Sequence, residues 1–352
     1  MSARDTAPIF VVGCPRSGTS MLYHMLLSSG HFPVYRTEPV VFDLLVPRFG
    51  ELRRSGNRRK LMNCWLRSRQ FRRSGLDARR TEQMVLCSVT NGGEFLRVIM
   101  DQMALSGGFR RWAVWGPDNL LHIPKIKEQI PNALFLHIIR DGRDVACALD
   151  RKRFIRPFPW DSNESLLVSG LYWLWRVRTG RSYGREIGSD YLEIKYEDLV
   201  LRPSTALAKV SAFIAKELDY DRICRAKIGT LRVPNTSFEE ELLSSRDFSP
   251  VGRWARLLPE PQVAQIENLI GKLLTELGYP LCCPRGGLSI QLEAMRALYP
   301  PFYDLKEWLK VRTPLGRFVD MSRLCLDEEN DPVEVGELSR SDWRPQPSPL
   351  PE

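Results

Sequence analysis

The sequence contains few histidines, no metal-binding pattern of cysteines and no apolar run long enough to span a bilayer. Its 352 residues include 4 histidines and 8 cysteines, and the cysteines form neither a Cys-x-x-Cys pair nor a ligand spacing with histidine. This usage indicates reduced thiols in a cytoplasmic protein that needs no metal. The short stretch before Pro8 carries Arg4 and Asp5, so we expect neither a signal peptide nor an anchor.

No linker rich in glycine, proline or serine interrupts the first 280 residues, which predicts one large α/β domain at 1–283. Within it we expect a helical lid at about 52–103. A helical extension at 284–325 carries basic and aromatic side chains, with interruptions at Pro300-Pro301 and Pro314. Packing on the domain, homodimerisation and peripheral membrane contact all fit this extension. Residues 326–352 are acidic and proline-rich, which predicts a disordered tail.

The net charge of +9 predicts anionic partners without naming them. Much of the excess lies between Arg48 and Arg80, where arginines far outnumber acidic residues. Trp65 and Phe71 fall at helical spacing with apolar neighbours, which indicates a packing face and not a base-stacking platform. We therefore expect no nucleic acid partner. Two interpretations of the basic stretch are compatible with the sequence: a solvated helix, or a surface that binds an anionic acceptor or a membrane.

Residues 9–22 predict a phosphate-binding loop between a strand and a helix. The first four are β-branched or aromatic without interruption, which is typical of a strand covered on both faces of a parallel sheet. Gly13 and Gly18 let the loop turn so that its N–H groups point inward, toward an anion at the helix N-terminus. The loop also contains one proline, one cation and three hydroxyls: Pro15, Arg16, Ser17, Thr19 and Ser20.

The spacing of Gly13 and Gly18 is that of a nucleotidase loop, but Thr19 stands where the lysine of that loop belongs. Because no lysine is present to hold the β- and γ-phosphates around magnesium, a nucleoside triphosphate fits poorly. A donor with a single 5′ phosphate and an attached transferable group fits better. A tight turn without a ligand is the alternative, which the coincidence of glycines, hydroxyls and Arg16 disfavours.

Two further polar residues are predicted to lie near this loop. Residues 133–139 form another apolar strand, and Arg140 follows at its carboxyl end, where parallel sheets bind ligands. Glu38 precedes Pro39 and is therefore extended, and a short second strand would bring it to the same edge, near Arg16. Arg140 thus predicts a second anion site, and Glu38 is either a carboxylate beside the loop or a surface residue.

Together these stretches resemble the sulfotransferases that use 3′-phosphoadenosine 5′-phosphosulfate (PAPS). Residues 13–20 are similar to the 5′-phosphosulfate loop of that family, and residues 138–145 are similar to its 3′-phosphate motif. The likeness continues through 191–199 and through 249–254, which resembles the loop that closes over the nucleotide. It covers roughly residues 8 to 280. The site layout is similar to that of the tyrosylprotein enzymes, in which a glutamate follows the Pro-Arg-Ser-Gly-Thr loop.

The resemblance implies an α/β fold with a P-loop-type central parallel sheet flanked by helices, and sulfuryl transfer from PAPS to a hydroxyl. It implies that Glu38 acts as the base, that Arg16 stabilises the leaving group and that Arg140 pairs with the 3′ phosphate. The other residues implied to contact the donor are Gly13, Pro15, Ser17, Gly18, Thr19, Ser20, Tyr196, Gly252 and Arg253. Asp141 and Asp144 are expected to order the loop around Arg140. The acceptor stays open among a sugar, a lipid, a small alcohol and a peptide tyrosine.

Two positions depart from the family pattern. Trp115 stands where relatives carry a lysine, and Ala148 stands where they often carry a serine. If that lysine assists the leaving group, this chain is slower, borrows Arg111 or Lys125, or is a PAPS-binding scaffold without catalysis. His31 is a second candidate for the base, and a P-loop kinase is a more distant alternative that a magnesium requirement would support.

Overall fold

The computed structural model describes residues 3–152, 155, 157–158, 161, 165–226, 228, 249–283 and 289–324. The predicted tail at 326–352 lies outside these residues. No helix within the described ranges is long and apolar enough to cross a membrane.

A four-stranded parallel sheet forms the centre of the fold, as predicted. Its strands are β1 (Ile9–Gly13), β2 (Ala113–Trp115), β3 (Leu134–Ile139) and β4 (Tyr191–Lys195), in the spatial order β2-β1-β3-β4. Ile9 pairs with Ala113 on one side and with Leu134 on the other. The carboxyl ends of β1 and β3 therefore lie side by side, at the edge where open α/β sheets bind ligands.

Helices surround the sheet and fill most of the connections between strands. The α-helices are α1 (Thr19–Ser28), α2 (Val46–Phe49), α3 (Ser55–Trp65), α4 (Arg69–Ser74), α5 (Ala78–Ser88), α6 (Gly92–Ser106), α7 (Ile123–Gln129), α8 (Gly142–Arg151), α9 (Ser165–Ile187), α10 (Tyr196–Leu201), α11 (Pro203–Ile214), α12 (Tyr220–Ala226), α13 (Trp254–Leu257), α14 (Glu260–Glu276) and α15 (Ile290–Arg312). A π-helix spans Val41–Leu45, and 3-10 helices span Ala3–Asp5, Pro117–His122, Gly188–Asp190, Pro314–Phe318 and Ser322–Leu324.

Side chains alternate along β1 between two apolar layers. Phe10 and Val12 belong to a cluster with side chains of α3, α5, α6 and α7. Ile9 and Val11 point to the other face and join a cluster with α1, α11 and α12. Both faces of the strand are thus covered, which explains why its sequence is apolar without alternation.

Four short helices, α3 to α6, occupy most of the region at 52–103. The side chains of Ser68, Asp77 and Asn91 cap the N-termini of α4, α5 and α6 by accepting a hydrogen bond from the backbone N–H three residues later. Trp65 is 3% exposed and packs edge-on against Phe71, with ring centroids 5.2 Å apart. The two aromatic residues form the predicted packing face, and the role of the region as a lid stays a prediction.

The short strand predicted at Glu38 does not form. Residues 33–40 have no regular structure, because Pro33 and Pro39 lack the N–H groups that a strand ladder needs. Instead, the carbonyl oxygen of Tyr35 accepts a hydrogen bond of 2.6 Å from the hydroxyl of Tyr23 on α1.

The interruption predicted at Pro300-Pro301 is also wrong, because α15 runs through both prolines. Tyr299 and Tyr303 are buried on its inner face, and the Tyr303 ring packs on Tyr172 of α9 with centroids 5.3 Å apart. Burial of these rings offsets the helical hydrogen bonds that the prolines remove. The extension packs on the domain, as one of the sequence alternatives proposed.

Candidate active site

The loop after β1 turns tightly into the N-terminus of α1. Arg16 has a φ of 72° and Gly18 a φ of 97°, both in the left-handed region. A Cβ on Gly18 would lie 2.5 Å from the Tyr196 ring, and a Cβ on Gly13 would lie 2.6 Å from the carbonyl oxygen of Ile138. Gly18 is therefore required both by its backbone conformation and by the close Tyr196 ring, and Gly13 is required by the close carbonyl oxygen alone.

Ser17 is fully buried within this loop, and its Oγ has no hydrogen-bond partner in the part of the chain that the structure describes. A buried hydroxyl left without a partner costs about 1–3 kcal/mol, so a bound oxygen is its natural partner. The N-terminus of α1 also has no side-chain cap, which leaves backbone N–H groups to bind an anion.

Arg140 connects three parts of the site from the end of β3. Its side chain is 2% exposed and donates to the backbone oxygens of Arg16 at 3.2 Å and Pro250 at 2.7 Å. The guanidinium carbon lies 4.4 Å from the centroid of the Tyr196 ring, a cation–π contact. Its Nε is buried with no partner among the residues described, so one donor stays available for a ligand.

Asp144 fastens the segment 249–254 to the site. Its Oδ2 accepts a hydrogen bond from the N–H of Gly252 and its Oδ1 accepts one from the N–H of Trp254, each at 2.9 Å. Burial raises the pKa of Asp144, and the Arg140 guanidinium 3.5 Å away opposes that rise. Asp144 thus contacts Arg140, whose loop it was predicted to order, and in addition holds the segment 249–254.

Asp141 and Arg143 form a second ordering cluster next to Arg140. The Asp141 carboxylate caps α8 by accepting from the N–H of Arg143, and it also binds the Arg143 guanidinium at 2.7 Å. Arg143 further pairs with Glu267 of α14, and its guanidinium carbon lies 3.8 Å from the Trp254 ring centroid. Both acids flanking Arg140 are therefore engaged in holding neighbouring elements together.

A cavity of about 460 Å³ opens beside the loop and α8, and its lining is cationic. Five basic residues face it, against two acidic ones. The charged lining residues are Arg16, Arg140, Arg151, Lys152, Arg253, Asp144 and Asp150. Cys147 and Ala148 also line it, so the position where relatives often carry a serine does face the cavity. A polyanion suits these walls.

Glu38 lies apart from this cavity, in the irregular segment before the π-helix. A Cβ on Gly116 would meet Glu38 Oε1 at 3.0 Å, so the carboxylate packs on the backbone that follows β2. Burial raises the pKa of Glu38 to about 7, although the Arg323 guanidinium 2.8 Å from Oε1 opposes the rise. The Glu38 side chain is still 20% exposed. A reachable carboxylate that titrates near neutral pH suits a general base.

Four charged residues around Glu38 were not predicted from the sequence. Arg176 of α9 is fully buried and donates to Asp118 Oδ1 at 2.9 Å. Arg323 links Glu38 to Asp118 at 3.0 Å and to Asp43. Arg176 is the first charged residue after an apolar and aromatic run in α9, and a charge in such a run is a sequence signal for a buried functional residue. No comparable pattern surrounds Arg323.

Three residues that the sequence raised as alternatives make other contacts in the structure. Arg111 lies just before the start of β2, at the end of the parallel strands opposite to Arg140. It donates to the backbone oxygens of Ala7 and Ile214. Lys125 pairs with a glutamate of its own helix at 2.9 Å. His31 follows the C-terminal end of α1 and lies 3.0 Å from a backbone oxygen. The positions of Arg111 and His31 contradict the proposals that Arg111 replaces the lysine and that His31 is the base, whereas the proposal for Lys125 stays a prediction.

Known proteins share sequence and fold with this chain. Residues 8–221 match the family described as the sulfotransferase family. Protein-tyrosine sulfotransferase A of Caenorhabditis elegans is 24% identical over 283 residues, a match that covers 78% of this chain and 68% of that protein. Protein-tyrosine sulfotransferase of Drosophila melanogaster is 24% identical over 287 residues, which is 78% of this chain and only about half, 52%, of that protein.

Two solved structures share the fold. The sulfotransferase domain from the Synechococcus PCC 7002 olefin synthase superimposes with a TM-score of 0.53 at 18% identity, over 79% of this chain and 96% of that domain. The sulfotransferase domain from the curacin biosynthetic pathway superimposes with a TM-score of 0.52 at 17% identity, over 78% of this chain and 98% of that domain. At these identities the likeness concerns the fold, and it confirms the predicted α/β architecture.

Proposed function

Because the chain belongs to the sulfotransferase family, we propose that it transfers a sulfuryl group from PAPS to a hydroxyl acceptor. The observation that carries this proposal is the meeting of Arg16, Arg140 and Arg253 on one cavity beside the phosphate loop. A nucleotide with phosphates at two separate positions matches cations that approach from two strand ends and a closing segment.

We assign the 5′ phosphate to the loop and the 3′ phosphate to Arg140. The buried Ser17 hydroxyl and the uncapped N-terminus of α1 supply donors for the first, together with Thr19 and Ser20. The Nε of Arg140 supplies a donor for the second. Because backbone oxygens and the Tyr196 ring already fix this guanidinium, little side-chain entropy is lost on binding.

The chain's own residues then account for a direct transfer. The acceptor oxygen forms a bond to sulfur while the bond between sulfur and the 5′-phosphate oxygen breaks, and adenosine 3′,5′-bisphosphate leaves. Arg16 stabilises the charge that develops on the leaving oxygen. The acceptor proton passes to Glu38, whose pKa near neutral allows it to take up a proton at physiological pH.

The acceptor is a hydroxyl compound whose class we leave open. The named relatives are protein-tyrosine sulfotransferases, which makes a peptide tyrosine one class to test. A sugar, a lipid and a small alcohol remain the others. Cytoplasmic location, membrane contact and homodimerisation stay predictions from the sequence.

One observation favours a second candidate, a PAPS-binding scaffold without catalysis. Trp115 ends β2 at the position where relatives carry a lysine, and its indole N–H is buried with no partner in the described ranges. Arg176 donates to the backbone oxygen of Pro117 close to this position, but the side chain of Asp118 neutralises its charge. If the missing lysine is indispensable, the donor would bind without being turned over.

Calorimetric titration of the purified chain with adenosine 3′,5′-bisphosphate, AMP and ATP, without metal, tests the donor assignment. We expect the bisphosphate to bind at least tenfold more tightly than AMP, since a charge-assisted contact contributes about 1.5–3 kcal/mol. Arg140→Ala should remove this preference. Arg97→Ala is the matched control, because Arg97 bonds to Asn132 outside the cavity.

The three titrations separate the candidates. Equal binding of the three nucleotides, or none, would overturn the PAPS assignment, and preferential binding of ATP with a magnesium requirement would support a kinase. Tight bisphosphate binding without transfer from PAPS to phenols, sugars, alcohols or tyrosine peptides would support the scaffold.

A further inference from the structure

The chain returns to the neighbourhood of Glu38 after α15. Residues 313–324 lie outside the match to the family, which ends at residue 221. Leu324 is fully buried in the same apolar cluster as side chains of α3 and α6, and the Gln70 side-chain amide donates to the backbone oxygen of Arg323 at 3.0 Å. These contacts fix the backbone that carries the Arg323 side chain.

Arg323 joins three carboxylates that come from separate parts of the chain. Its guanidinium lies 2.8 Å from Glu38 Oε1 and 3.0 Å from Asp118 Oδ2, and it also contacts Asp43. Asp43 belongs to the π-helix and Asp118 to the 3-10 helix that follows β2. The Arg323 side chain is 40% exposed, so it reaches solvent as well as the buried acids.

Other cations near this cluster are directed mainly at the two aspartates. Arg176 pairs with Asp118 at 2.9 Å, and Lys310 of α15 acts on both Asp43 and Asp118. The salt bridge to Glu38 comes from Arg323. Without Arg323, Glu38 would lie beside two acids in a largely buried place, which favours protonation of a carboxyl group.

Building on the proposed function, we propose that Arg323 is a positioning residue that keeps Glu38 ionised and oriented to receive the proton of the acceptor hydroxyl. Arg323 itself neither gains nor loses a proton in this step. Burial raises the pKa of Glu38, Asp43 and Asp118 raise it further, and Arg323 lowers it, which leaves a value of about 7. The C-terminal segment thereby completes the acceptor side of the site.

The test measures the titration of Glu38 directly in the full-length chain. Glutamate labelled with ¹³C at the side-chain carboxyl gives one NMR signal per residue, and Glu38→Gln identifies the signal of Glu38 by its loss. The midpoint is then recorded in the wild type, in Arg323→Met and in Arg323→Lys. Arg317→Met is the matched control, since Arg317 is an exposed arginine of the same segment.

We expect Arg323→Met to raise the Glu38 midpoint by about one pH unit or more, because an ion pair at this distance shifts a carboxyl pKa by about 1–3 units. Arg323→Lys should retain most of the wild-type midpoint, and Arg317→Met should leave it unchanged. In transfer assays, kcat of Arg323→Met should fall about fivefold or more at neutral pH and recover at alkaline pH, with little change in KM for the donor.

An unmoved midpoint, or a higher kcat in Arg323→Met, would overturn the role of Arg323. Should Arg323→Met fail to fold, Arg323→Gln provides the same test, because it removes the charge and keeps a side chain that can donate hydrogen bonds to the carboxylates. Binding of adenosine 3′,5′-bisphosphate is measured in parallel. Its absence in the wild type would overturn the proposed function, whereas an unmoved midpoint with intact binding would overturn the inference about Arg323 alone.

Discussion

The guanidinium carbon of Arg140 lies 4.4 Å from the centroid of the Tyr196 ring. The same ring fills the space beside Gly18, where a Cβ would approach it to 2.5 Å. Tyr196 thus packs against both elements that we propose to bind phosphate, the loop after β1 and the arginine after β3. One aromatic ring at the start of α10 therefore sets the spacing between the two proposed phosphate positions.

Replacement of Tyr196 by leucine should weaken binding of adenosine 3′,5′-bisphosphate. Loss of the cation–π contact costs about 1–2 kcal/mol, which corresponds to roughly a five- to thirtyfold loss of affinity in calorimetry. Tyr196→Phe is the control, because it keeps the ring and should stay within about threefold of the wild type. If both variants lose affinity equally, the hydroxyl and not the ring carries the effect.

Asp144→Asn should accelerate release of the bisphosphate. The two oxygens of Asp144 accept hydrogen bonds from the N–H groups of Gly252 and Trp254, each at 2.9 Å. An asparagine has only one side-chain oxygen, so the segment 249–254 loses one of these hydrogen bonds. We expect the dissociation rate in stopped-flow measurements to rise about tenfold, the equivalent of one hydrogen bond to a charged group.

The control for Asp144→Asn is Asp150→Asn. Asp150 lines the same cavity but bonds to Ser165. If net charge alone governed binding, removal of either acid would strengthen binding of the anion. Slower release of the bisphosphate in both variants would therefore contradict the role of Asp144 in holding the segment 249–254.

The parts of the site that the sequence predicted are those set by local chemistry. An uninterrupted apolar run defines β1, and two glycines with hydroxyls define the loop after it, within a single stretch of residues 9–22. Arg140 follows β3 directly, so its place at the sheet edge is fixed by the strand before it. Such features need no knowledge of the rest of the chain.

The acceptor side could not be predicted because its contacts are distant in sequence. Asp43 and Arg323 are 280 residues apart, and nothing near either of them indicates the other. The continuous α15 has the same origin, because packing of Tyr299 and Tyr303 outweighs the local effect of two prolines. The strand from which we predicted the position of Glu38 does not form, and Glu38 lies outside the cavity that Arg16 and Arg140 line.

Ala148→Ser should strengthen binding of adenosine 3′,5′-bisphosphate. Ala148 lines the cationic cavity together with Arg140, and relatives often carry a serine at this position. A new hydroxyl that donates to a charged phosphate contributes about 1–2 kcal/mol, so we expect about a five- to thirtyfold gain in calorimetry. AMP, which lacks the 3′ phosphate, should gain nothing. Cys147→Ser is the control, and an equal gain for AMP would place the hydroxyl near another part of the nucleotide.

Glu38→Gln should abolish transfer and yet stabilise the fold at alkaline pH. The folded chain holds the pKa of Glu38 at about 7, above the ordinary value of 4.5. Between these values the folded chain binds more protons than the unfolded chain, so the contribution of Glu38 to stability is lost as pH rises. Glutamine stays neutral at every pH and avoids this loss.

Urea unfolding at a series of pH values, followed by tryptophan fluorescence, checks this sign. The free energy of unfolding of Glu38→Gln relative to the wild type should increase by about 2–3 kcal/mol from about pH 5 to about pH 8. A difference that stays level or decreases with pH would mean that Glu38 titrates at or below its ordinary value. Glu38 would then be fully ionised at neutral pH, and its poor basicity would argue against the assignment as proton acceptor.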